Sequence, residues 1–378
     1  MNKIIIPTLI LLASTLSACG GSSSETPAPE PVTPAPKSTE NTATLESYTW
    51  SFDAGSAIKS TAALSEASVF FATDKGIVYG LNTSDGSQMW QRDIGSKVSG
   101  TLLYAENTVL FLSIDGVFHA LNAENGDTRW NVATAGESLM DQWDYHTNSA
   151  IFQNNTVYFA SKSGVVYALN ISDGSEIWSY NLNEKLRGMP YINNETLYVS
   201  SEKGIFSINI TDGNENWYVA NEMPSSPAVD SNVLAVGSRS GLITGYNANT
   251  GQKVWSLSHG TSWVTGEALA HNGAFYIGSS DDTKFESIDA KTGELNWSVG
   301  SGKNVFSKPL IANDIIYMTS ADAYSSPGAG YIKAFDLAGT PLWSLAGSNF
   351  TGSVVNNETS LFIGSDDGFF YAISLTQE

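Results

Sequence analysis

Four histidines carry the side chains best suited to metal ligation or proton transfer near neutral pH: His119, His146, His259 and His271. A zinc site usually draws paired ligands from one short segment, a few residues apart, and no two of these four stand that close. His119 replaces the tyrosine of a recurring Val-Tyr-Ala-Leu segment, so a packed imidazole is expected there. Asp281-Asp282 and Asp366-Asp367 could offer oxygens to calcium. They fall, however, in a slot that Asp74-Lys75-Gly76 fills elsewhere, where an aspartate serves a turn by bonding its own backbone. The chain has no Gly-x-Ser-x-Gly elbow and no phosphate-cradling loop. Eighteen basic against 38 acidic residues give a net charge of −20, which argues against nucleic acid and an anionic membrane face as partners. It suits a salt-exposed compartment or a basic partner. Neither a catalytic constellation nor a cofactor or metal site is expected.

The one thiol has a different chemistry. Lys3 and the apolar run Ile4 to Leu12 precede Leu16-Ser17-Ala18-Cys19, and the run is too short to span a bilayer as a mature helix. The tetrad resembles the lipobox of bacterial lipoproteins. That resemblance implies a signal peptide over residues 1–18, acylation of Cys19 (palmitate among the chains), and, with Gly20 rather than Asp next to it, sorting to the outer membrane facing the periplasm. Each buried CH₂ contributes roughly 0.8 kcal/mol, so several chains anchor a soluble domain durably. Residues 19–47 then form a tether. Gly20-Gly21-Ser22-Ser23-Ser24 is flexible, and Pro27, Pro29, Pro31, Pro34 and Pro36 stiffen the next part of the tether toward polyproline II.

What must position any site in residues 48–378 is a repeat. Gly-x-x-x-Trp occurs seven times, at Gly86/Trp90, Gly126/Trp130, Gly174/Trp178, Gly213/Trp217, Gly251/Trp255, Gly293/Trp297 and Gly339/Trp343, with the tryptophans 38 to 48 residues apart. That period matches one propeller blade. Within a unit, Val69-Phe70-Phe71-Ala72, a turn ending at Gly76, and Ile77-Val78-Tyr79-Gly80-Leu81-Asn82 spell a β-hairpin. A second turn closed by Gly86 leads to the strand of Trp90. Short runs such as Ser226-Pro227-Ala228-Val229 supply an inner strand, where proline is tolerated. The last hairpin, ending near Ile373, has no tryptophan strand, whereas Tyr48-Thr49-Trp50-Ser51-Phe52 is an orphan, in phase 40 residues before Trp90. The sequence therefore predicts an all-β fold: an eight-bladed β-propeller of four-stranded antiparallel blades, closed by the N-terminal strand joining the last blade.

The pattern Val-Tyr-Ala-Leu-Asn followed by Asp-Gly-x-x-x-Trp resembles the pyrroloquinoline-quinone-type propeller repeat from Trp50 to Ile373. Quinone dehydrogenases with this repeat imply adjacent cysteines and a calcium set. Cys19 stands alone, so quinone oxidoreduction is the least favoured reading. With its lipobox, the chain is also similar to the BamB family of outer-membrane assembly factors, lipid-anchored eight-bladed propellers. This resemblance implies a non-catalytic, monomeric scaffold that binds a protein partner in the cell envelope. Leu186-Arg187-Gly188 resembles the Leu-Arg-Gly loop through which that family docks, and would otherwise be ordinary strand entry. The family's Asp-Val-Asp-Thr-Thr-Pro segment is replaced by Ser225-Ser226-Pro227. Two tryptophans lie outside the repeat, Trp143 and Trp263, and a second insertion spans Asp322 to Tyr331. Such aromatics form either a contact patch or a cap on the core. As a patch, Trp143 and Trp263 would equally serve a polysaccharide- or small-ligand-binding propeller, the alternative function.

Overall fold

A computed structural model of the chain describes residues 42–44, 48–134, 149–260, 263–264, 266–322 and 328–375, all within the unit Ser38–Glu378. Its strands form eight antiparallel sheets in chain order. The first blade shows the plan: inner strand Ala63–Leu64, then Ser68–Ala72, Ile77–Asn82 and the outer strand Gln88–Asp93. The two middle strands are buried along their length, while the outer strand exposes most of its side chains. That gradient reflects position: the middle strands are covered by blades on both faces, the outer strand by little.

Each interface between neighbouring blades holds one hydrophobic cluster, so eight interfaces carry eight clusters among the described residues. Tyr48–Asp53 pairs antiparallel with Phe369–Ser374, so the first strand completes the last blade as the repeat phase predicts. The cluster beyond it joins Val69, Phe71, Tyr79 and Leu81 of the first blade to Phe362, Phe370 and Ala372 of the last, with Trp50 and Phe52 against it. Phe71 and Phe370 stack there at 4.2 Å. Thr42–Thr44, inside the stretch read as tether, adds a fifth strand, parallel, to the outer edge Pro341–Ser348 of the seventh blade.

The repeat motif serves two interfaces at once. Trp90 Nε1 donates to the Ala123 carbonyl of the next blade at 2.8 Å, and its ring lies against Gly126 of that blade. The same geometry joins Trp50 to Thr83 and Gly86, Trp130 to Ile171 and Gly174, Trp178 to Ile210 and Gly213, and continues through Trp217, Trp255 and Trp297. Each glycine therefore receives the previous unit's indole, and the tryptophan four residues later reaches forward to the next. Trp343 packs within the cluster between the seventh and eighth blades.

Two glycines separate this contact from backbone strain. Gly95 and Gly126 share φ +73, but a Cβ at Gly95 meets nothing within 4 Å, whereas one at Gly126 falls 2.6 Å from the Trp90 ring. Gly95→Ala should cost only the left-handed conformation, about 1 kcal/mol. Gly126→Ala should lose about 1–3 kcal/mol more through overpacking. Urea unfolding of the two variants checks this, and equal losses would refute the indole contact. Removing Tyr48–Asp53 should lower the midpoint severely, because burial worth roughly 1.5–3 kcal/mol per large apolar side chain is lost at Trp50 and Phe52 together with a whole strand pairing.

Candidate functional site

The fourth blade departs from the others at its inner strand. Leu186–Asn193 has eight residues where the other seven inner strands have two to four, and its register shifts between Arg187 and Tyr191. Gly188 lies within the shift: at φ +75 it is so close to Ser226 that a Cβ would sit 2.9 Å from the Ser226 nitrogen. Met189 N donates to Ser226 Oγ at 2.8 Å, and Ser200 Oγ to the Ser225 carbonyl at 2.7 Å. Leu186 is buried in the interface with the third blade. The Leu186-Arg187-Gly188 segment and Ser225-Ser226, 37 residues apart along the chain, thus meet at the entry to two blades, with Leu186, Ser225 and Ser226 themselves buried. Beside it Ser201 Oγ donates to Glu184 Oε2 at 2.6 Å, and Lys203 Nζ lies 3.9 Å from Glu184 Oε1. The backbone of Arg187 pairs with Ser200.

Past Gly188 the chain reaches the ring axis. Thr61, Thr101, Met189, Glu267, Lys308 and Ser353, from six different blades, line a central cavity of about 340 Å³. Lys308 N donates to Ser353 Oγ at 3.0 Å and Ser353 N to Thr61 Oγ1 at 2.9 Å, so neighbouring blades are bonded around the axis. Thr61 bridges Thr101 in parallel. Glu267 is 5 % exposed. Burial pushes its carboxyl up to about 7, against the opposing pull of Lys308. Sequence reasoning missed this pair. A signal existed, since Glu267 and Lys308 occupy an inner-strand slot that holds threonine or serine at Thr61, Thr101, Ser226 and Ser353.

The other predicted residues are dispersed around the ring. Trp263 is half-buried, with the Arg239 guanidinium 3.7 Å from its ring centroid, and its carbonyl accepts from Ser280. Trp143 and His146 lie outside the described residues. His119 is buried, stacked on Phe111 and 2.9 Å from Ser113 Oγ; burial holds its imidazole below the ordinary value, with Asp115 opposing. His259 Nδ1 meets Glu286 Oε2 at 2.6 Å, both buried, a pairing invisible in the sequence. His271 lines the central cavity. Asp367 accepts from Phe369 N and Tyr371 Oη and Asp282 lies 3.5 Å from Lys284 Nζ, both within their turns, whereas Asp366 faces Asn349 and Thr351 of the preceding segment. Among the described residues no group of three His, Cys, Asp or Glu side chains is arranged to hold a metal ion.

A ring of eight blades built on the pyrroloquinoline-quinone-type repeat defines the class. The family model for the outer membrane protein assembly factor BamB matches residues 45–142, 137–258 and 239–366, and the chain belongs to that family. It is 28 % identical over 168 residues to the outer membrane protein assembly factor BamB of Shewanella oneidensis, a match spanning 40 % of each protein. BamB from Moraxella catarrhalis has a similar fold, with TM-score 0.66 and 19 % identity over 88 % of this chain and 98 % of that one. A europium-containing methanol dehydrogenase also shares the fold, at TM-score 0.66 and 14 % identity over 84 % of each chain. The architecture therefore hosts both assembly factors and enzymes.

Glu267 sets a pH dependence whose sign comes from linkage. Its folded-state value lies above the ordinary glutamate value, so its contribution is fully present at pH 4 and is lost as pH rises through about 7, because the unfolded chain releases the proton first. The loss amounts to roughly 3 kcal/mol. Glu267→Gln should therefore be more stable than the parent at pH 8, with the gap closing by pH 4. Denaturant titrations at the two pH values measure it, and a constant gap would exclude Glu267 as the source.

Proposed function

We propose that this protein is a non-catalytic scaffold of outer-membrane protein assembly, held at the outer membrane through Cys19 and facing the periplasm, and that it docks a protein partner at the entry to the fourth and fifth blades. The contiguity of Leu186-Arg187-Gly188 with Ser225-Ser226 carries this reading. Leu186-Arg187-Gly188 matches the loop by which the family resemblance implies docking, while Ser225-Ser226-Pro227 stands in place of the family's Asp-Val-Asp-Thr-Thr-Pro segment and departs from it. The long inner strand and its bulge support it, since bulges re-aim side chains at functional edges. Family membership across residues 45–366 supports the assembly setting.

Arg187→Glu reverses the charge of the middle residue of the Leu186-Arg187-Gly188 segment. Recovery of outer-membrane assembly proteins with the tagged, membrane-extracted variant should fall at least about tenfold, the range expected for a charge at an interface core. Lys253→Glu, on the exposed outer strand of the fifth blade, should leave recovery unchanged. Equal recovery with Arg187→Glu and the parent protein would overturn the docking site.

A further inference from the structure

The central cavity carries two charges that the ring itself does not use. Ser353 and Thr61 accept backbone N–H groups from neighbouring blades, and Ser226 does the same for Met189. Glu267 and Lys308, on adjacent blades, interact through space, yet among the described residues neither side chain has a hydrogen bond or an ion pair within 4.0 Å. Glu267 is nevertheless 95 % withdrawn from solvent, and it lines the cavity. The rest of the wall is largely apolar, with Met189, Leu269, Pro309, Leu310 and Val354. An apolar cavity with a few convergent polar groups is the general form of a small-molecule site, and about 340 Å³ is at the small end of the range.

Electrostatics selects the ligand class. A neutral apolar ligand would strip water from both charges and return nothing, and a neutral polar one would return hydrogen bonds but no opposite charge. A simple cation would meet the Lys308 ammonium, and a simple anion the Glu267 carboxylate. A molecule with an ammonium at one end and an anionic group at the other, joined by a short apolar body, satisfies both ends and the wall between them. We propose that the channel is a binding site for a small zwitterion of the amino-acid or short-peptide kind, its ammonium held by Glu267 and its anionic group by Lys308. The two sites share Met189, but the charges that would hold the ligand, Glu267 and Lys308, lie on the sixth and seventh blades, away from Leu186-Arg187-Gly188.

Calorimetry on the detergent-solubilised full chain tests this with 6-aminohexanoate and alanylalanine as probes, and hexylamine and hexanoate as single-charge controls. At least one zwitterion should bind in the millimolar range, and each control at least about tenfold more weakly. Glu267→Gln and Lys308→Met should each weaken the zwitterion at least about tenfold, and Lys308→Arg should restore it. Since the Glu267 carboxyl must be ionised to hold an ammonium and titrates at about 7, 6-aminohexanoate, whose amine stays protonated throughout, should bind roughly tenfold tighter at pH 8 than at pH 6. Lys308 and His271 are the other titratable groups lining the cavity, and His271→Gln should preserve that pH dependence. No heat from either zwitterion, controls that bind equally well, or an affinity unmoved by both charge removals would overturn the proposal. Thermal melts of each variant at pH 8 establish that a lost signal is not lost folding, and the Lys308→Arg rescue provides the same check through binding.

Discussion

The structure depends on an indole laid flat on a glycine across each blade boundary. Because the glycine accepts the previous tryptophan while its own unit's tryptophan reaches forward, no unit is complete by itself. This makes the ring cooperative: each blade's packing is finished by its neighbour, and an array left open would present one unfilled interface at each end. Antiparallel pairing of Tyr48–Asp53 with Phe369–Ser374 resolves the problem by making the last blade from both ends of the domain. Trp343 is the exception, with no repeat glycine against it among the described residues. Phe350, Val354, Leu361, Tyr371 and Leu375 fill that boundary instead.

The tryptophan contact also explains the surface. Met89, Ile177, Val254 and Leu342 are large apolar side chains 42 to 52 % exposed, which would ordinarily suggest a partner. Each immediately precedes a framework tryptophan and falls at the register shift of its outer strand. The bulge takes this residue out of pairing and adds twist, which turns the following indole toward the next blade. These side chains are exposed singly, on separate blades, by the geometry that aims the tryptophan. They do not form a patch.

The fold was legible because its information is local and repeated. The hairpin turns, for example Asn154-Asn155 and Ser231-Asn232 with both residues at positive φ, announce themselves by composition, and period then arranges the hairpins. Even ring closure followed from the phase of Trp50. The site is different in kind. Glu267 and Lys308 are 41 residues apart in sequence, and His259 and Glu286 are 27 apart; only the ring and its blade interfaces bring them together. The proximity of Leu186-Arg187-Gly188 to Ser225-Ser226 arises the same way, through a glycine whose close approach to the next blade no local pattern specifies. Comparing units position by position, rather than searching each for motifs, exposes the charged slot. A carboxylate and an ammonium where five other units carry a hydroxyl (Thr61, Thr101, Ser149, Ser226 and Ser353) is a departure from the repeat as visible as an inserted loop.

That comparison bears on why the charges persist. The ring tolerates threonine, serine and methionine at the same axial slot, and the hydroxyls of Thr61, Ser226 and Ser353 there bond the neighbouring blade. Closure therefore needs no carboxylate at Glu267, since the same slot holds a methionine at Met189. Withdrawing an ionisable group from water without a direct partner costs free energy at neutral pH, in this case enough to lift its titration to about 7. A purely mechanical scaffold gains nothing from that cost. Buried, under-satisfied charge is the usual signature of a site whose stability has been given up for a ligand, and the apolar wall facing Glu267 and Lys308 gives such a ligand its shape.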